Sequence, residues 1–391
     1  MSAKQHPAQK GNQQPDCRAL LKYCQSQLGP ILRCLVQAVE IESPTNSKPA
    51  VDRLAAFFAE ECRKRGGAVQ LWRHKSAGNA LTAEFWGSSR GAKPILLLGH
   101  LDTVWELGAI SQMPFRVRKG RAYGPGILDM KAGVVCALWA VDALRAAGIS
   151  LRNPVRLFLN ADEETGSSAF RSRILAEARK ARACLVLEPA AECGALKTSR
   201  KGVGQFRIVA EGRLAHAGIN PGAGVNAINE LAHQLVRLEE FAGRGVTLNA
   251  GVIVGGTRPN VVPERATAHI DVRIPRVQDG KRITRQIMGL KPVLRGARLH
   301  ITGGINRPPM ERRVTVALFE QARELGRSMG LDLQEASTGG GSDGSFAAAL
   351  GVPTLDGLGA VGAGAHARHE HVIIRELPRR AALLAAMLAT V

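Results

Sequence analysis

Five short stretches of this chain place histidine or acidic residues directly after apolar runs, the positions where α/β proteins gather ligands. In the first, Gly99-His100-Leu101-Asp102 follows Ile95-Leu96-Leu97-Leu98. Extended backbone has a side-chain period of two, which predicts Asp102 on the same side as His100, where a carboxylate can orient an imidazole. In the second, the turn residues Gly124-Pro125-Gly126 lead to Asp129 at the mouth of a helical pattern. A carboxylate there can bridge two cations through its two oxygens, although this segment alone reads first as a helix N-cap. The third, Asp162-Glu163-Glu164, sets three acids in a row. They repel one another unless a cation holds them or the turn is solvated. Neighbouring side chains point apart, so Glu164 can bind a metal while Glu163 faces a water. The fourth is Leu187-Glu188-Pro189, and the fifth is a small-residue loop holding His366, His369 and His371.

Positioning these residues requires buried strands that end together. Helical patterns cover 18–41 and 51–64, followed by a strand at 79–86 and a buried strand at 94–99. A helix over 130–147, a strand at 155–160, a helix near 170–180 and a strand at 183–187 come next. Alternating strands and helices predict an α/β domain with a mixed, mainly parallel sheet flanked by helices. The texture changes at 199–308, which reads strand (204–210), helix (225–240), strands (246–254 and 267–274), helix (280–289) and strand (297–302). That order is the signature of an α+β ferredoxin-like sandwich. The α/β pattern then resumes with helices at 314–329 and 377–391. The expected organisation is a flexible lead-in (1–16), a first part of the main domain (17–198), an inserted domain (199–308) and the rest of the main domain (309–391).

Taken together, the order His-x-Asp, Gly-x-Leu-Asp, Asp-Glu-Glu-x-Gly, Glu-Pro and His resembles the co-catalytic zinc family of aminoacylases, acetylornithine deacetylases and glutamate carboxypeptidases. The resemblance runs from about Ile31 to the C-terminus and implies a zinc-exopeptidase-like fold with an inserted lid and dimerisation domain. It implies two Zn2+ per chain, with Co2+ or Mn2+ also suited to such nitrogen and oxygen donors. His100 and Glu188 would hold one ion, Glu164 and His366 the other, and Asp129, followed by a cis peptide, would bridge them. Asp102 would support His100, and Glu163 would be the general acid/base. Ala215-His216-Ala217-Gly218 resembles the segment whose histidine enters the partner subunit's site to stabilise an oxyanion, which implies a homodimer. Asn260 and Arg273 match lid residues that contact substrate. Arg307 and the run Gly339-Gly340-Gly341 resemble the carboxylate grip and substrate loop of the glutamate carboxypeptidase branch. The implied reaction is cleavage of an amide next to a free carboxylate, releasing an amino acid such as glutamate from a peptide or acyl conjugate. N-acyl-amino-acid deacylation is the alternative, and a non-catalytic binding protein a more distant one.

The remaining features bound this reading. The chain of 391 residues carries a net charge of +20, and 199–308 holds 17 Lys and Arg against 7 Asp and Glu, about half of that surplus. A basic surface can attract nucleic acid or steer small anions. Aromatic residues at only 4% and no basic helix with interleaved aromatics argue against nucleic acid. Seven cysteines without a C-x-x-C pair give no disulfide framework; those at 17, 24, 34, 62 and 136 read as small buried apolar residues. No apolar run approaches the roughly 20 residues that span a bilayer, and 1–16 lacks the apolar centre of a secretory signal. A cytoplasmic location is the expectation.

Overall fold

Residues 15–85 and 91–391 are described by the computed structural model. Most of the expected lead-in, and Trp86 of the strand expected at 79–86, lie outside them. Asp16 caps the first helix, its carboxylate accepting the Arg18 and Ala19 N–H groups at 3.0 Å.

The uninterrupted apolar runs form the buried centre of a six-stranded sheet. Its order is Ala68–Trp72, Ala80–Phe85, Val155–Asn160, Ile95–His100, Ala183–Val186, Thr354–Leu355. The first two pairings are antiparallel and the other three parallel, giving the mixed, mainly parallel sheet that was expected. All six residues of Ile95–His100 are buried, as in a strand covered on both faces. Helices Ala132–Ala146 and Leu377–Thr390 pack together over the sheet. The parallel strands thus end side by side, and the residues that follow them meet.

Three expectations need correcting. The helix expected over 18–41 is two, Cys17–Ser26 and Leu28–Glu40, because Pro30 lacks an N–H and fits only a first turn. The helix expected from 130 begins at Ala132, with Asp129 and Met130 in non-helical conformations. The strand expected over 297–302 runs from Arg298 to Arg307. Gly303 hid the extension: its φ is +118°, and a Cβ there would lie 2.1 Å from the Gln205 carbonyl oxygen.

A second antiparallel sheet runs Thr247–Gly255, Arg265–Ile274, Gly202–Glu211, Arg298–Arg307. Helices Ala227–Glu239 and Val277–Met288 pack on it. Strand Arg265–Ile274 alternates strictly, burying Ala266, Ala268, Ile270, Val272 and Ile274. These residues belong to a hydrophobic cluster separate from the main core. The chain enters this unit beside Arg200 and leaves it beside Met310, where the two backbones exchange hydrogen bonds of 3.0 Å. A short parallel pair, Leu196–Arg200 with Glu335–Thr338, supports the crossing. Its polar composition gave no strand signal. Among the described residues no helix is long and apolar enough to cross a membrane.

Candidate active site

His100 is the last residue of a central strand, and its Nε2 lies 3.2 Å from Asp129 Oδ1 and 3.7 Å from Glu188 Oε1. On the other side of Asp129, His366 Nε2 lies 3.4 Å from both Asp129 Oδ2 and Glu164 Oε1. Asp129 therefore stands between two histidine–glutamate pairs and offers one oxygen to each. It does not cap the helix that follows. The Asp129-Met130 peptide is cis. Glu163 adjoins the same cluster: ligand atoms of His100, Glu163 and Glu188 lie within 4.8 Å of one another, as do those of His100, Asp129 and Glu164.

The loops that carry these groups are held by two other carboxylates. Asp102 is fully buried. Its oxygens accept the N–H groups of Glu163 and Glu164 at 3.1 Å each and the Thr45 hydroxyl at 2.8 Å. The expected support for His100 arrives differently. Its Nδ1 is 2.9 Å from the Asp102 backbone carbonyl and 3.5 Å from the carboxylate. The backbone supplies the closer contact because the carboxylate is turned toward the acidic loop. Glu370, also buried, accepts Gly126, Leu128 and Asp129 N–H groups at 2.9, 2.8 and 3.1 Å and the Trp105 indole at 2.8 Å. It fixes the turn that delivers Asp129.

Arg307 comes in from the second sheet. Its Nη2 donates to the Glu163 carbonyl at 2.6 Å and Ser167 Oγ at 2.9 Å, and pairs with Glu163 Oε1 at 3.0 Å and Asp343 Oδ1 at 3.2 Å. The expected carboxylate grip is thus engaged by the protein's own acids in this structure, with only Nε buried and unpartnered. Arg273 is bidentate to Asp271 at 2.8 and 3.0 Å and reaches the Gly339 carbonyl at 3.4 Å. Gly341 packs where a Cβ would lie 2.8 Å from Val203 Cγ2 and 3.2 Å from Arg307 Cδ. Gly340 and Gly341 offer carbonyls to Arg200 at 3.2 and 3.0 Å. His216 and Asn260 sit apart on an exposed two-stranded ribbon, with Ala217 N–H bonded to the Asn260 carbonyl at 3.0 Å. His216 makes no hydrogen bond or ion pair to the acidic cluster among the described residues.

Electrostatics sharpen the picture. Burial pushes Glu163 well above the usual carboxylate range, outweighing Arg307. Burial also raises Glu164, and lifts Glu188 to about 7. Burial acts to raise Asp129 too, but bonds to His100 and His366 hold it below its usual value. Burial disfavours a charged His100, yet Asp102 and Asp129 keep its pKa well above the ordinary imidazole value. Bonds to Asp129 and Glu164 raise His366 to about 10. The protein's own cations thus leave this cluster of acids undercompensated. Glu164 Oε1 is buried without a properly aligned donor. Hard oxygen and imidazole donors, an acid excess and one carboxylate aimed two ways all fit a pair of divalent cations.

Sequence reasoning singled out the acids and histidines but missed Thr45, Arg200 and Glu370. Glu370 had a signal, as an acid inside the histidine loop. Arg200 had none beyond a basic pair before Gly202.

Comparison with known proteins agrees with this geometry. The sequence model described as peptidase family M20/M25/M40 matches residues 96–390. Carboxypeptidase G2 of a Pseudomonas species is 30% identical over 363 residues, covering 90% of this chain and 86% of that protein. Succinyl-diaminopimelate desuccinylase of Gluconacetobacter diazotrophicus is 27% identical over 324 residues, covering 74% and 78%. Among solved structures, aminopeptidase PepT of Bacillus cereus superposes with a TM-score of 0.76 at 18% identity, covering 93% of this chain and 98% of that one. The chain belongs to peptidase family M20/M25/M40, a family of metal-dependent amide hydrolases.

Proposed function

We propose that this protein is a dinuclear zinc hydrolase that cleaves an amide next to a free carboxylate, releasing a C-terminal amino acid such as glutamate from a peptide or acyl conjugate. The observation carrying the reading is Asp129, whose two oxygens face separate histidine–glutamate pairs while Glu163 stands beside them. His100 and Glu188 would hold one ion, Glu164 and His366 the other, and Asp129 both. Such ions supply Lewis acidity to the scissile carbonyl and acidify water. Glu163, already biased by burial toward binding a proton, takes one from the attacking water and passes it to the leaving nitrogen.

Residues 199–308 are read as a lid and dimerisation domain. In the lid, His216 Nδ1 accepts the Gly218 and Ile219 N–H groups at 3.1 Å each. That fixes the neutral tautomer with its proton on Nε2, a donor suited to an oxyanion. Strand Thr247–Gly255 lies at a sheet edge with Val252, Ile253 and Val254 exposed by 52%, 55% and 66%. Uncovered apolar edges recruit partners, which supports a homodimer in which each His216 serves the other subunit. Arg273 and Arg307 flank the 339–341 loop, and a guanidinium fork matches a substrate carboxylate.

The match to carboxypeptidase G2 over most of the chain favours release of a C-terminal residue. The desuccinylase match favours the second reading, deacylation of an N-acyl amino acid. The deciding experiment joins metal analysis to hydrolysis of acyl-glutamates, peptidyl-glutamates, N-acetyl-ornithine and other N-acyl amino acids. About two metals per chain are expected, with kcat lowered roughly 10²–10⁴-fold by Glu163→Ala. The best substrate selects between the readings. A chain that takes up no metal would overturn both.

A further inference from the structure

Arg200 is nearly inaccessible to solvent, and every face of its guanidinium is used. Nε and Nη2 form a fork on Asp356, each at 2.8 Å. Nη2 also reaches Glu188 Oε2 at 3.4 Å, and Nη1 donates to the Gly340 and Gly341 carbonyls. Asp356 is held in turn by the Ser342 hydroxyl at 2.6 Å. The backbone of Arg200 does something different. Its N–H and carbonyl exchange bonds with Met310, the point where the chain returns from the second sheet. One residue therefore joins the crossing between the two units, the glycine loop and the oxygen of Glu188 turned away from His100.

We infer that Arg200 is a positioning residue that sets the orientation of Glu188, and through it the affinity of the metal seat shared by His100 and Glu188, in register with the 339–341 loop. The inference rests on the proposed two-metal site but is not contained in it. A carboxylate with one oxygen tied to a fixed guanidinium has a single orientation available to the other oxygen. Freed from Arg200, Glu188 gains rotamers, and Asp356 loses the guanidinium fork that pairs both its oxygens, with the longer-range charge of Lys197 left nearby. The glycine-loop carbonyls lose their donor at the same moment. Outer partners of metal ligands characteristically alter metal affinity by about 10–100-fold, and the effect here is confined to one seat of two. His366 and Glu164 make no contact with Arg200, so their seat is left as it was.

The test uses the full-length metal-free protein titrated with Zn2+ against a chromophoric chelator, for wild type, Arg200→Met and Arg200→Lys. Wild type takes up two tight equivalents. Arg200→Met retains one and binds the other about 10–100-fold more weakly. Arg200→Lys, which keeps the charge but loses the fork, falls between them. KM for the best substrate rises more than kcat falls, because the glycine loop moves with the arginine. Two tight equivalents in both variants would overturn the inference while leaving the metal site standing. Equal weakening of both equivalents would also overturn it, since that marks a general loss of structure. Wild type that binds no zinc would instead strike at the metal reading itself. Should Arg200→Met fail to fold, the lysine variant decides the matter through the same one-site loss.

Discussion

Replacing Glu370 with glutamine changes one atom and disturbs four hydrogen bonds. Oε1 accepts Leu128 and Asp129 N–H groups, and Oε2 accepts Gly126 N–H and the Trp105 indole. Glutamine keeps one accepting oxygen and turns an NH2 group toward the other pair of donors. Two bonds to a charged acceptor are lost, each worth about 1.5–3 kcal/mol, for a gross effect of about 3–6 kcal/mol. An opposing effect lowers this sum. Burial raises the Glu370 pKa despite its four donors, so the ionised side chain bears a desolvation penalty that glutamine avoids. The lower end, about 3 kcal/mol, is the expected net. It should act locally, because the donors all belong to the turn before Asp129 and to Trp105. Hydrogen exchange of the metal-free protein reads it directly. At tenfold per 1.4 kcal/mol, amides 126–129 should exchange roughly 100-fold faster. Peptides from the second sheet should be unchanged. Wild-type protection at 126–129 in the variant would refute the reasoning, because the turn would then be held by something other than Glu370.

Three further predictions follow the same contacts. Asp102→Asn sets an amide NH2 against the Glu163 or Glu164 N–H, so metal affinity should fall about 10–100-fold by chelator competition; unchanged affinity would separate Asp102 from the site. Gly341→Ala places a Cβ 2.8 Å from Val203 Cγ2, an overpacking worth about 1–3 kcal/mol. It should raise KM through displacement of the glycine loop, and unaltered kinetics would show that the loop has room. Val254→Lys puts a charge on the exposed sheet edge and should convert the proposed dimer to a monomer in sedimentation, with kcat falling in step; a wild type that is monomeric, or a variant still dimeric at equal concentration, would refute this edge as the interface.

What the sequence made legible divides along a physical line. Buried strands announce themselves by short, predominantly apolar runs, so 95–100, 155–160 and 183–186 were readable, and with them the places where His100, Glu163, Glu164 and Glu188 emerge. The order strand, helix, strand, strand, helix, strand over 199–308 disclosed the second sheet equally well. Leu196–Arg200 and Glu335–Thr338 were not readable, because each is short, polar and stabilised mainly by the other across 135 or more residues of intervening chain. The same limit applies to the supporting residues. Glu370 meets Leu128 across 242 positions and Arg200 meets Asp356 across 156. A local pattern carries no trace of such pairings. Asp129 shows the point in reverse: locally it resembles a cap, and only the arrival of His100 and His366 turns its oxygens outward.

The two arginines at the crossings connect the architecture to the chemistry. Arg200 stands where the chain enters the second unit and touches Glu188; Arg307 stands where it leaves and touches Glu163. Each crossing therefore delivers one fixed positive charge to one side of the acid cluster, and both charges are buried, where Coulomb interactions are least screened. Rotation of the second unit about these crossings would strain the bonds of Arg307 to Glu163, Ser167 and Asp343, because Arg307 is the last residue of a strand in that unit. Arg200 is anchored by its fork to Asp356 in the main domain and stays behind. Movement of the second unit would therefore change the charge beside Glu163 most directly and that beside Glu188 to a lesser degree, because Arg307 acts on both acids. The acid proposed to handle the proton is thus the one whose nearest arginine belongs to the second sheet, and the proposed metal ligand is the one whose arginine is tied to Asp356.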